Sequence, residues 1–312
     1  MSQETVERVF KVTSPASLTL ANINGSVQIL PGDDGEVKVS AMKHLDHGDA
    51  ERTQIIIEQL ENEQVSVKTH YAQNGIKLFH NRPCDVDYFV HMPKSSNVDV
   101  SGVSCTQSME GLEGELKLES VSGEIKVHSL KGKLKASTVS GNVSGDQLSG
   151  SLKFNAVSGD IRLSDSNLTT VCGNTVSGNI HLQSPLGEGP YKFDSVSGDI
   201  YLSVPAGTHC TVETHSLSGD AKIQLPVTSQ HRSNGIKYFE VAGGGVGISL
   251  NSVSGDLHLE GGTGRSAPEA LVVESALPPV EKPAPSSTRE ILAKIERGDI
   301  TVDEGITLLS KS

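Results

Sequence analysis

The side chains best placed to do chemistry recur along this chain instead of clustering. A carboxylate or amide follows a glycine at Glu124, Asn142, Asp160, Asn179, Asp199, Asp220 and Asp256. Repeated oxygen ligands of this kind can hold calcium, as aspartates do at the turns of nonapeptide β-rolls. Such sites need Gly-Gly-x-Gly-x-Asp in consecutive nonads, and the intervening nonads here offer Glu115, Lys133 and Ser151 instead. A ladder of polar turn residues, each bonding to neighbouring backbone, needs only the spacing that is present. Asn142 and Asn179 separate acids that would otherwise repel across one turn, so the expectation is a ladder without metal.

Two positions further on runs an outward basic column: Lys117, Lys126, Lys135, Lys153 and Arg162, then His181, Tyr201, Lys222 and His258. It could face phosphate or an anionic lipid. With acids in the neighbouring column, salt-bridged and solvated strand faces are the simpler expectation. His44-Leu-Asp-His47, with Asp46 and Asp49, is the one local metal-like cluster, and no partner ligands accompany it. The serines show no Gly-x-Ser-x-Gly elbow and recur with the turn, whereas a nucleophile would be singular. No phosphate-binding Gly-x-x-x-x-Gly-Lys and no dinucleotide fingerprint leading into a helix is present. The reading is therefore no enzyme, no catalytic residue, no cofactor and no bound metal.

The elements that position these columns are set by glycine. Gly114, Gly123, Gly132, Gly141, Gly150 and Gly159 fall nine residues apart, each inside apolar-x-Gly-x-apolar-x-apolar. Alternate nonads read Val-Ser-Gly-Asp/Glu/Asn-apolar, with glycines at 123, 141, 159, 178, 198, 219 and 255. Period-two alternation inside a fixed repeat means short strands that stack. The fold class expected is all-β: a parallel β-solenoid (β-helix) of about 18-residue, two-strand turns, plus a small C-terminal helical hairpin. The interval of 36 between Gly219 and Gly255 reads as two such turns.

Composition agrees. The 312 residues include no Trp, 5 Tyr, 6 Phe and 32 Gly, and thin Val/Ile/Leu rungs need few aromatics. A net charge of -12 argues against a nucleic-acid partner, which would call for clustered Lys and Arg. No apolar signal core opens the sequence and no stretch is long enough for a transmembrane helix, so the expected location is cytoplasmic, with peripheral envelope association open. Cys84, Cys105, Cys172 and Cys210 are widely spaced and are read as free thiols.

Residues 5–100 read as an irregular β region continuous with the regular solenoid of 101–260. Asp49–Gln54 is read as a short helix. Ile55–Ile57 and Val65–Val67 read as a hairpin across Glu61-Asn62-Glu63, although 50–64 could also form one helix. Later turns carry longer insertions, including Thr228–Gly235, which read as loops at the solenoid edge and as better places for selective binding than the uniform middle. Residues 261–286, rich in Pro, Ala and Ser, read as a linker. Residues 287–312 then carry two capping boxes, Ser287-Thr-Arg-Glu290 and Thr301-Val-Asp-Glu304, each opening a short helix. Ile291, Leu292, Ile295, Ile306 and Leu309 form the candidate interaction face, because helices this short need something to dock on.

Asn22-Ile-Asn-Gly-Ser-Val27, the repeated Val-Ser-Gly-Asp-Ile and Val204-Pro-Ala-Gly207 resemble the bacterial β-strand-repeat family named for adhesins, related to GIN-type adhesin heads and toast-rack domains. The tail from Ile291 to Leu309 is similar to SHOCT-like helical modules that accompany such repeats in envelope-stress proteins. The resemblance implies a non-enzymatic sensing, scaffolding or assembly role, with a protein partner or self-association through the C-terminal helices. A surface adhesin exported by a non-standard route is the alternative, and a carbohydrate-active solenoid enzyme a further one.

Overall fold

The computed structural model describes residues 2–262 apart from 47, 61–62, 73–81 and 234. The linker and the C-terminal helices expected from the sequence lie outside the described residues. The chain opens with β1 (Gln3–Lys11), β2 (Ala16–Pro31), β3 (Glu36–His44), β4 (Thr53–Gln59), β5 (Val65–Tyr71), β6 (Val86–Met92) and β7 (Ser96–Glu110). Long and short strands then alternate: β8 (Glu113–Ser120), β9 (Ile125–His128), β10 (Lys131–Thr138), β11 (Val143–Asp146), β12 (Ser149–Ala156) and β13 (Ile161–Ser164). The alternation continues through β14 (Asn167–Thr175), β15 (Ile180–Gln183), β16 (Tyr191–Ser195) and β17 (Ile200–Pro205). The last elements are β18 (Cys210–Ser216), β19 (Ala221–Ile223), β20 (Val227–Ser233), β21 (Ile236–Val241), β22 (Val246–Ser252) and β23 (Leu257–Gly262).

Long strands pair in parallel with long and short with short, one repeat apart: Leu134 with Leu116 and Leu152, and Ile161 with Val143 and Ile180. This gives two ladders of rungs about 4.8 Å apart. The ladders belong to one hydrogen-bonded network because β2 and β7 are long enough to serve both, pairing from Ala16–Ser96 to Ile29–Met109. At this end the parallel pattern gives way to antiparallel pairings of β1 with β3, β3 with β6 and β4 with β5. The described fold is thus all-β and mostly parallel. The β4–β5 hairpin matches the expected one, whereas the helix read at Asp49–Gln54 is a turn feeding β4. There Thr53 donates both its N–H and its hydroxyl to the Asp49 carbonyl, and two isoleucines pack against the core from the strand that follows.

The core follows the alternation. Leu116, Leu118, Ile125, Leu152, Phe154 and Ile161 are each at most 4 % exposed, and with the strands from β8 to β18 burying alternate residues the middle of the stack excludes water continuously. Between long and short strand the chain bends at Val-Ser-Gly, where a Cβ on Gly141 would stand 1.9 Å from the Gly123 carbonyl oxygen of the rung before. Only glycine fits there. One further residue type belongs to the motif: Ser120, Thr138, Thr175, Ser195, Ser216 and Ser252 each accept the N–H of the glycine three residues on, at 2.7–3.1 Å. Ala156 is the exception in this column.

Chain order and spatial order part at the far end. β22 and β23 lie between the β16–β17 rung and the β18–β19 rung, pairing in parallel with both. The 36-residue interval between Gly219 and Gly255 therefore does not hold two successive turns. The chain builds the outermost rung first, reverses through the antiparallel β20–β21 hairpin, and inserts its last rung inside.

Candidate functional site

The polar turn column forms a bonded ladder. From Asn142 onward a side-chain oxygen of one member accepts the backbone N–H of the next: Asn142 to Asp160, Asp160 to Asn179, Asn179 to Asp199, Asp199 to Asp256 and Asp256 to Asp220, at 2.8–3.0 Å, while Glu124 pairs with Lys126 instead. The expected side-chain-to-backbone ladder is present, with its last two members in permuted order. The second oxygens of Asp160 and Asp256 meet Arg162 at 2.8 Å and Lys222 at 3.1 Å. The Asp220 N–H, then Lys222, hold the Asp256 carboxyl below the usual carboxylate range. Carboxylates so engaged brace the bend between rungs.

The single basic column read from sequence is two columns on different ladders. Lys117, Lys135 and Lys153 stand on the long ladder, in register with Cys172 and Lys192. Lys126, Ser144, Arg162, His181, Tyr201, His258 and Lys222 run along the short one. Many are ion-paired: Lys117 with Glu119 at 3.0 Å, Lys126 with Glu124 at 3.0 Å and Lys192 with Asp194 at 3.3 Å. On the short ladder the rings of His181, Tyr201 and His258 stack with centroids 4.5 Å apart. Burial, then the Arg162 charge, lowers the His181 pKa.

The metal-like cluster disperses. His44 Nε2 meets Asp87 at 2.7 Å, Asp46 accepts the Ser2 N–H, and Asp49 pairs with Arg52 at 3.3 Å; His47 lies outside the described residues. Among the described residues no group of three His, Cys, Asp or Glu side chains could hold a metal. Cys84, Cys105 and Cys210 are buried, and burial raises the thiols of Cys105 and Cys210 to about 11, which keeps them protonated and poor nucleophiles.

One feature differs from the uniform stack. A groove of about 1050 Å3 runs over the outer face of the long ladder across its last rungs, walled by the β20–β21 hairpin through Arg232 and Gly235. The segment read as a loop at Thr228–Gly235 is thus mostly strand β20. Asn155, Asn174, Asp194, Asn251 and His215 follow one another in register across the groove. Asn251 donates to Asp194 at 2.6 Å, and the Asn174 amide sits 2.9 Å from Asn155 and, with nitrogen toward the acid, 3.2 Å from Asp194 Oδ2. Beside this polar row runs the valine of each bend. Its exposure climbs from 3 % at Val157 to 46 % at Val196, 47 % at Val253 and 86 % at Leu217 on the outermost rung. A second groove of about 590 Å3 over the earlier rungs shares Lys135 and Lys153 with the first. The bend valines were legible in the sequence as motif members. Their exposure was not, because it depends on which rung is last.

Amide and carboxylate groups, cations and an apolar strip thus lie side by side on a parallel β-strand-repeat scaffold. Residues 17–260 match the family model Toastrack DUF4097, and the chain belongs to that family. The chain is also similar to a crystal structure from Bacteroides fragilis named for an adhesin, at 10 % identity and a TM-score of 0.49 over 83 % of this chain and 98 % of that one. An adhesin-named structure from Parabacteroides merdae matches at 13 % identity and a TM-score of 0.43 over 82 % of this chain and 95 % of that one. One from Parabacteroides distasonis named for lipid binding matches at 13 % identity and a TM-score of 0.41 over 81 % and 96 %. No curated protein matches the chain. The interaction residues read in the tail, Ile291, Leu292, Ile295, Ile306 and Leu309, lie outside the described residues. Among the described residues no helix is long and apolar enough to cross a membrane.

Proposed function

We propose that this chain is a non-enzymatic binding or scaffold protein: a rigid β-solenoid whose groove over the last rungs takes a ligand or protein partner. Residues 287–309 form a second interaction module, and the setting is cell-envelope stress sensing or assembly. The observation that carries the reading is the exposed Val196–Val253–Leu217 row beside the polar row, since apolar side chains left in water on a rim of polar groups mark interaction sites. The catalytic alternative finds less support. The bend carboxylates of Asp160, Asp199 and Asp256 accept backbone N–H groups, Glu124 and Asp220 pair with Lys126 and Lys237, and Asp194 in the groove is bonded to Asn251 and paired with Lys192.

The test is capture from a fractionated envelope extract by immobilised full-length protein, beside Leu217→Asp in the groove and Arg162→Ser on the short ladder. The reading predicts a bound species kept by Arg162→Ser and lost by Leu217→Asp at an unchanged melting temperature. A species retained equally by all three proteins refutes the groove.

A further inference from the structure

The exposed row has a candidate occupant within the same chain. We infer that the apolar stripe of residues 287–309 docks along Val196, Val253 and Leu217. This rests on the reading of the groove as the binding surface.

The first argument is shape and chemistry. Branched apolar side chains on adjacent rungs, about 4.8 Å apart, make a continuous stripe that grows more exposed toward Leu217. The sequence of residues 287–309 places Ile291, Leu292 and Ile295, then Ile306, Leu308 and Leu309, in two short amphipathic stretches that cannot bury those side chains alone. An amphipathic helix laid into an apolar groove is a recurring recognition mode.

The second argument is charge. Lys153 and Arg232 both line the groove. Neither makes an ion pair or side-chain hydrogen bond among the described residues. Residues 287–309 carry Glu290, Glu296, Asp299, Asp303 and Glu304 against Arg289, Lys294 and Arg297, an acidic balance that suits unpaired cations.

The third argument is reach. The chain leaves the described fold at Gly262, the end of β23, and the bend at Val253–Gly255 lies at the other end of that strand, roughly 20 Å away. The 24 residues between Gly262 and Ser287 are enough, since a chain of that number of residues has a root-mean-square span of about 25–30 Å. Span and linker therefore match, the condition under which a tethered group has its highest effective concentration.

Hydrogen exchange read by mass spectrometry on the full-length chain tests this, at several protein concentrations and with light scattering in parallel. The inference predicts at least tenfold protection of amides in 288–309, independent of concentration. That protection is lost in Leu217→Asp and in Ile295→Asp and reduced in Lys153→Glu, while exchange in β16 and β22 stays unchanged. Leu217 is 86 % exposed, so its substitution leaves the fold intact. An unprotected tail in the parent chain overturns the inference, and so does protection that survives Leu217→Asp. Protection that rises with concentration alongside a dimeric mass assigns the tail to a second copy and also overturns it. Groove-dependent capture that persists while the tail is unprotected leaves the binding function standing and removes only the self-docking.

Discussion

Changing Ser195 to alanine tests the rung-to-rung account of the bend in a way the protein has already half performed. Ser195 Oγ accepts the Gly198 N–H at 3.0 Å and donates to the Gly198 carbonyl at 2.9 Å, with Ser195 only 6 % exposed. Removing the hydroxyl leaves a backbone N–H at a water-poor bend without that acceptor, which costs about 1–3 kcal/mol. For a domain of this size each kcal/mol moves the melting temperature by roughly 2–4 °C, so Ser195→Ala should melt about 2–12 °C lower. Ala156 occupies the same position two rungs earlier, and its neighbours in the column, Thr138 and Thr175, bond their glycines at 2.9 and 3.1 Å. Ala156→Ser should supply the missing acceptor to Gly159 and stabilise by about 0.5–1.5 kcal/mol. Calorimetric or circular-dichroism melts of the two variants check the opposite signs. Equal melting temperatures for the parent and Ser195→Ala, or a drop for Ala156→Ser as large as that for Ser195→Ala, would refute the reasoning.

Ile161→Asp places an unpaired charge at a fully buried site and should cost several kcal/mol, while Arg162→Ser removes an exposed ion pair with Asp160 and should cost under about 1 kcal/mol; denaturant midpoints separate them. Gly141→Ala should destabilise by several kcal/mol, since a Cβ 1.9 Å from the Gly123 carbonyl oxygen forces adjacent rungs apart, and urea melts measure it. Calcium and chelator should leave the melting temperature unchanged, because one oxygen of each ladder residue from Asn142 to Asp256 is bonded to a backbone N–H. By NMR, His128 and His181 should show pKa values displaced to opposite sides of the ordinary histidine value. The hydrogen bond that His128 Nδ1 donates to the Asp146 carboxylate raises the His128 pKa, so its contribution is complete below the unfolded value and lost as pH rises through the folded one. Burial lowers the His181 pKa, so its neutral form in the folded state loses stability as pH falls from the unfolded value through the folded one.

The repeat was legible because each rung must present the same inward pair and the same bend. Leu116, Leu134 and Leu152, or Ile125, Val143 and Ile161, announce both strand and register from spacing alone. The ladder of Asn142, Asp160 and Asn179 was legible for the same reason. Position 156 hid the serine or threonine before each bend, since alanine there interrupts the column. The two basic columns looked like one because Lys117 and Lys126 sit nine residues apart, at equivalent points of nonads that belong to different ladders. The permuted end was not legible. Gly219 and Gly255 carry identical bend signals, and nothing local in Leu217–Ala221 states that its parallel neighbour comes later in the chain. The groove inherits that difficulty, because Val196, Val253 and Leu217 become one row only after the last rung has been inserted, and its wall is a hairpin whose strand β20 is exposed throughout.

The central claim is that the face carrying Leu217 is an occupied binding surface. A photo-reactive amino acid placed at Leu217 of the full-length chain, with Val9 as an exposed apolar control at 59 % exposure, tests it most directly in living cells. The account predicts abundant adducts at position 217, either to residues 287–309 of the same chain or to a separate molecule, and few at position 9. Adduct yields at 217 no higher than at 9 would contradict it.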